Sequence, residues 1–185
     1  MATAAEITKY SNEILEAAKQ GTPTNPKGLP ATLANLLLAQ AKHESANFSS
    51  NLFRKYNNAF GYNYVSGARW QTGAGTKADN GMPIAVYASV GDSAREIVDW
   101  IYRRVKEGKF PANLDLIKTP DEYAHLLKNA GYYQDNISNY TDGLKNFFQS
   151  PKTHGALIMV GMAFAAWYFS NTKDGKNLFK KLTAK

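Results

Sequence analysis

The feature that most constrains this chain is the stretch 36–64, LLLAQAKHESANFSSNLFRKYNNAFGYNY, in which an apolar helix runs straight into a carboxylate. Leu33, Leu36, Leu37, Gln40 and Ala41 recur at helical spacing on one face, and the pattern continues to Glu44. Glu44 is thus placed at the tip of an apolar rod, where desolvation disfavours the charged form and raises the pKa. A carboxylic acid that keeps its proton near neutrality can protonate a leaving oxygen, the step that glycosidic-bond cleavage needs. His43 could tune that charge, but neighbours on a helix point about 100° apart, so its default role is structural. Ser45 and Asn47 suit the open carbonyls and turn donors where the helix ends.

The rest of the chain reads as helices around this one. Residues 5–19 form an amphipathic helix with Ile7, Tyr10, Ile14, Leu15 and Ala18 on one side, stopped by Gly21 and followed by the loop GTPTNPKGLP. The paired asparagines before Ala59, Phe60 and Gly61 predict a turn with unusual backbone angles, anchored by Phe60. Residues 62–87 read as a small β-hairpin, broken by GAGT and turned at Asp79, Asn80 and Gly81, with Trp70, Ile84, Val86 and Tyr87 as strand residues. GAGT is not a phosphate loop, because its second glycine is not followed by a lysine and then a hydroxyl as in that motif, and no helix starts there. Ser89 caps a core helix through Ile97, Ile101 and Val105 that ends at Gly108. Thr119, Pro120 and Glu122 start another helix, and Asn136 or Ser138 caps the one bearing Tyr140, Leu144, Phe147 and Phe148.

Composition narrows the function classes. An apolar share of 44% supports one domain with a real core, and the absence of cysteine excludes thiolate metal sites and disulfides. The three histidines are far apart and lack ligand spacing, so neither a metal nor another cofactor is implied. A net charge of +7 points to an acidic partner, but the basic residues are scattered and no nucleic-acid motif accompanies them, which argues against nucleic acid. The N-terminus shows no basic start, apolar run and cleavage site, so a secretory signal peptide is not expected.

Four strings occur in an order that is familiar. AQAKHES followed by NNAFGYN, then YASVGDSAREIVDWI, then YAHLLKNAGYYQDNISNYTDGL, resembles the glucosaminidase family of peptidoglycan hydrolases, glycoside hydrolase family 73 of the lysozyme-like superfamily. The resemblance implies a mainly α, lysozyme-like helical domain (α+β) with a small β-hairpin over residues 1–150. It also implies cleavage of β-1,4 bonds in peptidoglycan glycan strands, of the endo-β-N-acetylglucosaminidase type, with Glu44 as general acid. By the same analogy Asn58 and Tyr62 become sugar contacts, and GYYQD, matching the family's GYATD, puts Tyr132 or Tyr133 near the acid ahead of Tyr140.

This sequence departs from the family on the hairpin, where Lys77 in TKADNG stands in the place of a frequent second glutamate. Asp79 is the first acid after Glu44, so a two-carboxylate mechanism would pair Glu44 with Asp79 or a more distant acid. A single-acid route uses the substrate's N-acetyl group as nucleophile, or its 6-hydroxyl, which would make the protein a lytic transglycosylase; muramidase cleavage is a further alternative. Without the second glutamate, a non-catalytic structural or wall-binding protein that retains the fold is the competing class.

Residues 151–185 differ in kind. GALIMVGMAFAAWYF, 155–169, is uncharged and apolar all round, ends in Trp167 and Tyr168, and precedes Lys173, Lys176, Lys180 and Lys181. It is short against the roughly 20 residues of a bilayer span, yet it reads as an apolar C-terminal helix and candidate membrane anchor with a basic tail. The combination suits a bacteriophage enzyme, for lysis or virion-associated for entry. Oligomeric state is not written in the sequence.

Overall fold

A computed structural model of the protein describes residues 1–78, 81–134 and 136–148. Helix α1, Ala4–Gln20, starts at Thr3, whose hydroxyl accepts the Glu6 amide at 3.2 Å while the Glu6 carboxylate takes the Thr3 amide at 2.7 Å. This reciprocal cap satisfies two of the donors that a helix start leaves open. Helix α2, Ala31–Glu44, opens at Pro30 with no side-chain cap. Its stability comes from burial instead: Leu33, Ala34, Leu36, Leu37, Ala39, Gln40 and Ala41 are all enclosed. Each fully buried leucine contributes about 1.5–3 kcal/mol.

The chain leaves α2 abruptly. Ala46, Asn47 and Phe48 have φ of 50°, 53° and 63°, three successive left-handed residues without a glycine. Such backbone costs about 1 kcal/mol or more per residue. Two contacts offset it. The Ser45 hydroxyl donates to the Ala41 carbonyl at 2.6 Å and accepts the Phe48 amide at 2.9 Å, as the sequence predicts for Ser45. The Phe48 ring is fully buried against Tyr10 and Phe53, at centroid distances of 5.6 and 5.2 Å.

Helix α3, Asn51–Tyr56, leads to the NNAFGYN turn, and strands β1, Gln71–Lys77, and β2, Pro83–Tyr87, form a two-stranded antiparallel sheet. GAGT does not break the hairpin as the sequence suggests; it lies inside β1, paired as Gly73 with Val86 and Ala74 with Ala85. The physical reason is close approach. A Cβ on Gly75 would sit 2.8 Å from the Tyr56 ring, so only glycine lets the strand cross that ring. Gly81, with φ of 79°, belongs to the expected turn, whereas Asp79 and Asn80 lie outside the described residues.

Helix α4, Val90–Lys106, is capped by Ser89, which accepts the Asp92 amide at 3.1 Å. Its Glu96 clamps the base of the hairpin, accepting Gln71 Nε2 at 2.8 Å and the Tyr87 hydroxyl at 2.7 Å. A single 3₁₀ turn, Leu114–Leu116, precedes α5, Pro120–Asn129, which begins with the predicted Thr119 and Glu122 capping box. Helix α6, Ile137–Phe147, is capped by Asn136, and Ser138 donates to that cap. Helices α1 and α6 pack against α2, with α4 on α1 and α5 on α6, and one continuous core runs through Leu36, Leu37, Ile97, Ile101, Tyr123, Leu127 and Leu144. The result is the mainly helical fold with a small hairpin that the sequence predicts. The apolar segment 155–169 lies outside the described residues; among the described residues no helix is long and apolar enough to cross a membrane.

Candidate active site

Glu44 is the last residue of α2, half-buried at the floor of a cleft of about 260 Å³. The cleft wall is built from Phe60 to Asn63 on the NNAFGYN turn, Trp100 on α4, and Gly131, Tyr132 and Tyr133 after α5. Burial pushes the Glu44 carboxyl above the usual carboxylate range, partly countered by the Tyr140 hydroxyl, which donates to Oε1 at 2.7 Å. Desolvation thus dominates, as the apolar rod implies. The other oxygen, Oε2, faces Gly61, 3.9 Å from where a Cβ would stand. Gly61 has φ of 66°, so glycine keeps both the turn and this approach open.

The tyrosine that hydrogen-bonds the acid is Tyr140, while Tyr132 and Tyr133, which the GYYQD match puts near it, line the same cleft. Tyr132 instead donates to the Phe60 carbonyl at 2.6 Å and packs edge-on against Trp100 and Tyr62, with centroids 5.5 and 6.0 Å away. It ties the turn after α5 to the opposite cleft wall. Tyr133 donates to the Ala124 carbonyl at 3.1 Å and stacks on Tyr140 at 3.9 Å, holding that ring in place. His43 meets the Tyr140 ring edge-on at 5.1 Å. The signal for Tyr140 was present in the sequence: the family's closing string runs GYATDPNYA, and its second tyrosine matches the tyrosine of Ser138-Asn139-Tyr140. A two-residue difference in spacing obscured it.

Asn58 also takes a different position from the one the resemblance implies. It is buried, its Nδ2 donates to the carbonyls of Tyr62 and Ala85 at 2.8 and 3.1 Å, and its Oδ1 accepts the Tyr62 amide at 3.1 Å. Every arm of the amide is spent on backbone, so it shapes the cleft wall and has none left for a sugar. Tyr62 lines the cleft with its ring, while its hydroxyl is buried and meets no hydrogen-bond partner among the described residues. Aromatic faces of this kind stack on the apolar faces of sugar rings. Glu44 is the one carboxylate lining the cleft among the described residues; Asp79 lies outside them. Among the described residues no group of three histidines and acids could hold a metal ion.

A carboxyl biased toward its protonated form at a helix end, gripped by a tyrosine in an aromatic cleft beside a small hairpin, fits a lysozyme-like glycoside hydrolase. The chain belongs to the glucosaminidase family, whose model, described as mannosyl-glycoprotein endo-beta-N-acetylglucosaminidase, matches residues 30–153. Among solved structures it is similar to the glycoside hydrolase domain of FlgJ from Salmonella typhimurium, with 22% identity and a TM-score of 0.56 over 90% of this chain and 97% of that one. It is also similar to the catalytic domain of the autolysin Auto from Listeria monocytogenes, with 17% identity and a TM-score of 0.52 over 80% of this chain and 85% of that one. A type VI secretion system effector–immunity complex from Pseudomonas protegens matches with 22% identity and a TM-score of 0.50 over 76% of this chain and 89% of that one. These likenesses concern the fold. No match is found among curated proteins.

Proposed function

We propose that this glycoside hydrolase cleaves the β-1,4 bonds of peptidoglycan glycan strands as an endo-β-N-acetylglucosaminidase. The observation that carries the reading is Glu44, an acid biased toward its protonated form and presented to a cleft with tyrosine walls. Family membership and likeness to an autolysin catalytic domain support the polymer. In this reading Glu44 passes its proton to the glycosidic oxygen as the C–O bond breaks. The carbonyl oxygen of the substrate's own N-acetyl group then bonds to the anomeric carbon. Water opens that intermediate and returns a proton to Glu44. This route needs no second carboxylate, which suits a cleft whose described lining holds one.

Zymography on purified peptidoglycan with wild type and Glu44→Gln tests the proposal, and mass spectrometry of the fragments identifies the bond. Reducing N-acetylglucosamine ends support it. Muramic acid ends would assign a muramidase, anhydro-muramic ends a lytic transglycosylase, and no cleavage at all a non-catalytic wall-binding protein. If Asp79→Asn abolishes turnover as Glu44→Gln does, the mechanism uses two carboxylates. The uncharged run 155–169 and the lysines after it support a membrane tether, and with it a role in phage lysis or entry. Flotation of the full chain with anionic liposomes, compared with a chain ending at 151, tests that tether.

A further inference from the structure

A second hollow, of about 330 Å³, lies beside the cleft that holds Glu44. Helix α4 serves both: Trp100 lines the cleft, while Glu96, Asp99, Arg103 and Lys106 line the hollow. At about 100° per residue, Glu96 and Arg103 stand within about 60° of Trp100 around the helix, so the two depressions are neighbours. One side chain spans the partition. Gln71 Nε2 donates to the carbonyl of Asn63, a cleft residue, at 3.3 Å and to Oε1 of Glu96, a residue of the hollow, at 2.8 Å.

The walls of this hollow are fixed by its acids, and its cations are left over. Asp99 Oδ1 accepts the hydroxyls of Thr22 and Thr24 and the amide of Asn25 at 2.5, 2.7 and 2.8 Å, and Oδ2 accepts the Trp70 indole N–H at 2.9 Å. The Arg95 guanidinium lies 5.6 Å from the centre of the same ring, so Trp70 stands as a preformed apolar wall. Glu96 is engaged on both oxygens by Gln71 and Tyr87, and burial shifts its carboxyl toward the neutral form. Along and just after α4, Arg95 pairs with Asp92, and Arg104 and Lys109 pair with Glu107. Arg103 and Lys106 pair with no acid among the described residues, and neither does Arg69 beside Trp70, although all three are exposed around one hollow.

We infer that this hollow is a subsite for the peptide stems of peptidoglycan, taking their carboxylates on Arg69, Arg103 and Lys106 and their alanine methyls against Trp70. The inference rests on reading the glycan strand as the substrate. A stem branches from the sugar chain, so a strand seated in the cleft brings a stem to a depression one side chain away. A guanidinium fork matches a carboxylate at two points, and Lys106 adds a point charge. Contacts this far from the scissile bond hold substrate and transition state alike, so they act on KM and leave kcat as it is.

The full chain is titrated with a free stem pentapeptide, with the same peptide amidated at its carboxylates, and with a glycerol-phosphate polymer, each followed by tryptophan fluorescence. The free-acid peptide should bind saturably, and amidation or the double variant Arg69→Gln/Arg103→Gln should weaken it by about fivefold. Lys9→Gln/Lys118→Gln removes the same charge away from both hollows and should bind as wild type. On glycan strands bearing stems the arginine variant should raise KM by about fivefold with kcat unchanged, and on strands stripped of stems by an amidase it should match wild type. An equal loss on both kinds of strand overturns the subsite, as does binding indifferent to amidation or a lysine variant as weak as the arginine one. Tighter binding of the phosphate polymer than of the peptide also overturns it, and assigns the hollow to phosphodiesters. Should the double variant melt early, Arg103→Gln alone decides. The peptide titration needs no turnover, so a chain that cuts no glycan would refute the hydrolase reading and still leave the subsite decided.

Discussion

Replacing Asn58 with alanine separates a wall-building amide from a sugar contact. The side chain is 5% exposed and bridges the NNAFGYN turn to β2. In Asn58→Ala the Tyr62 amide loses its acceptor at 3.1 Å and has no other among the described residues. The Tyr62 carbonyl keeps the Ala85 amide at 2.9 Å, so its loss is partial. The stranded Tyr62 donor costs about 1–3 kcal/mol, and the lost bond to the Ala85 carbonyl with the long one from the Phe60 amide at 3.4 Å together about 1, giving a destabilisation of about 2–4 kcal/mol. With a urea slope of about 2 kcal/mol/M, the unfolding midpoint should fall by about 1–2 M. Because Gly61 and Tyr62 line the cleft beside Glu44, kcat should fall with it. Urea denaturation followed by tryptophan fluorescence, together with turnover of peptidoglycan fragments, reads both effects. If the midpoint moves by less than about 0.3 M while KM rises, Asn58 binds substrate and the reasoning is refuted.

Three further outcomes are expected. Glu44→Gln should lower turnover by at least about a hundredfold, measured by release of reducing ends, since it deletes the proposed general acid. The same variant should flatten the stability profile: the raised folded pKa of Glu44 favours folding below its unfolded value, and that benefit is lost as pH rises through the folded value. Wild type should therefore lose stability relative to Glu44→Gln on the alkaline side, a difference read by thermal melts across pH. Gly143→Ala places a Cβ into the His43 ring, which should cost about 1–3 kcal/mol and lower activity through the Tyr140 ring that His43 abuts, by the same melts and assay.

Much of the helical frame is local and so could be read directly. The capping boxes at Thr119 and the cap at Ser89 form between neighbours three residues apart, and the apolar spacing before Glu44 needs no tertiary information to mark a buried rod. GAGT misled for the opposite reason. Its glycines look like a break, and only the Tyr56 ring lying beneath Gly75 shows why a strand needs them.

The sequence by itself determined that an acid caps an apolar helix, because period and burial propensity are properties of contiguous residues. It also carried the family strings and the single-acid puzzle at Lys77. Tertiary structure alone decided which tyrosine grips the acid, since residues 96 positions apart meet only when α6 packs on α2. It decided that Asn58 turns inward to backbone, and that Ala46, Asn47 and Phe48 adopt left-handed angles that the burial of Phe48 offsets. Those choices are settled by long-range contacts, whose partners no local pattern can name.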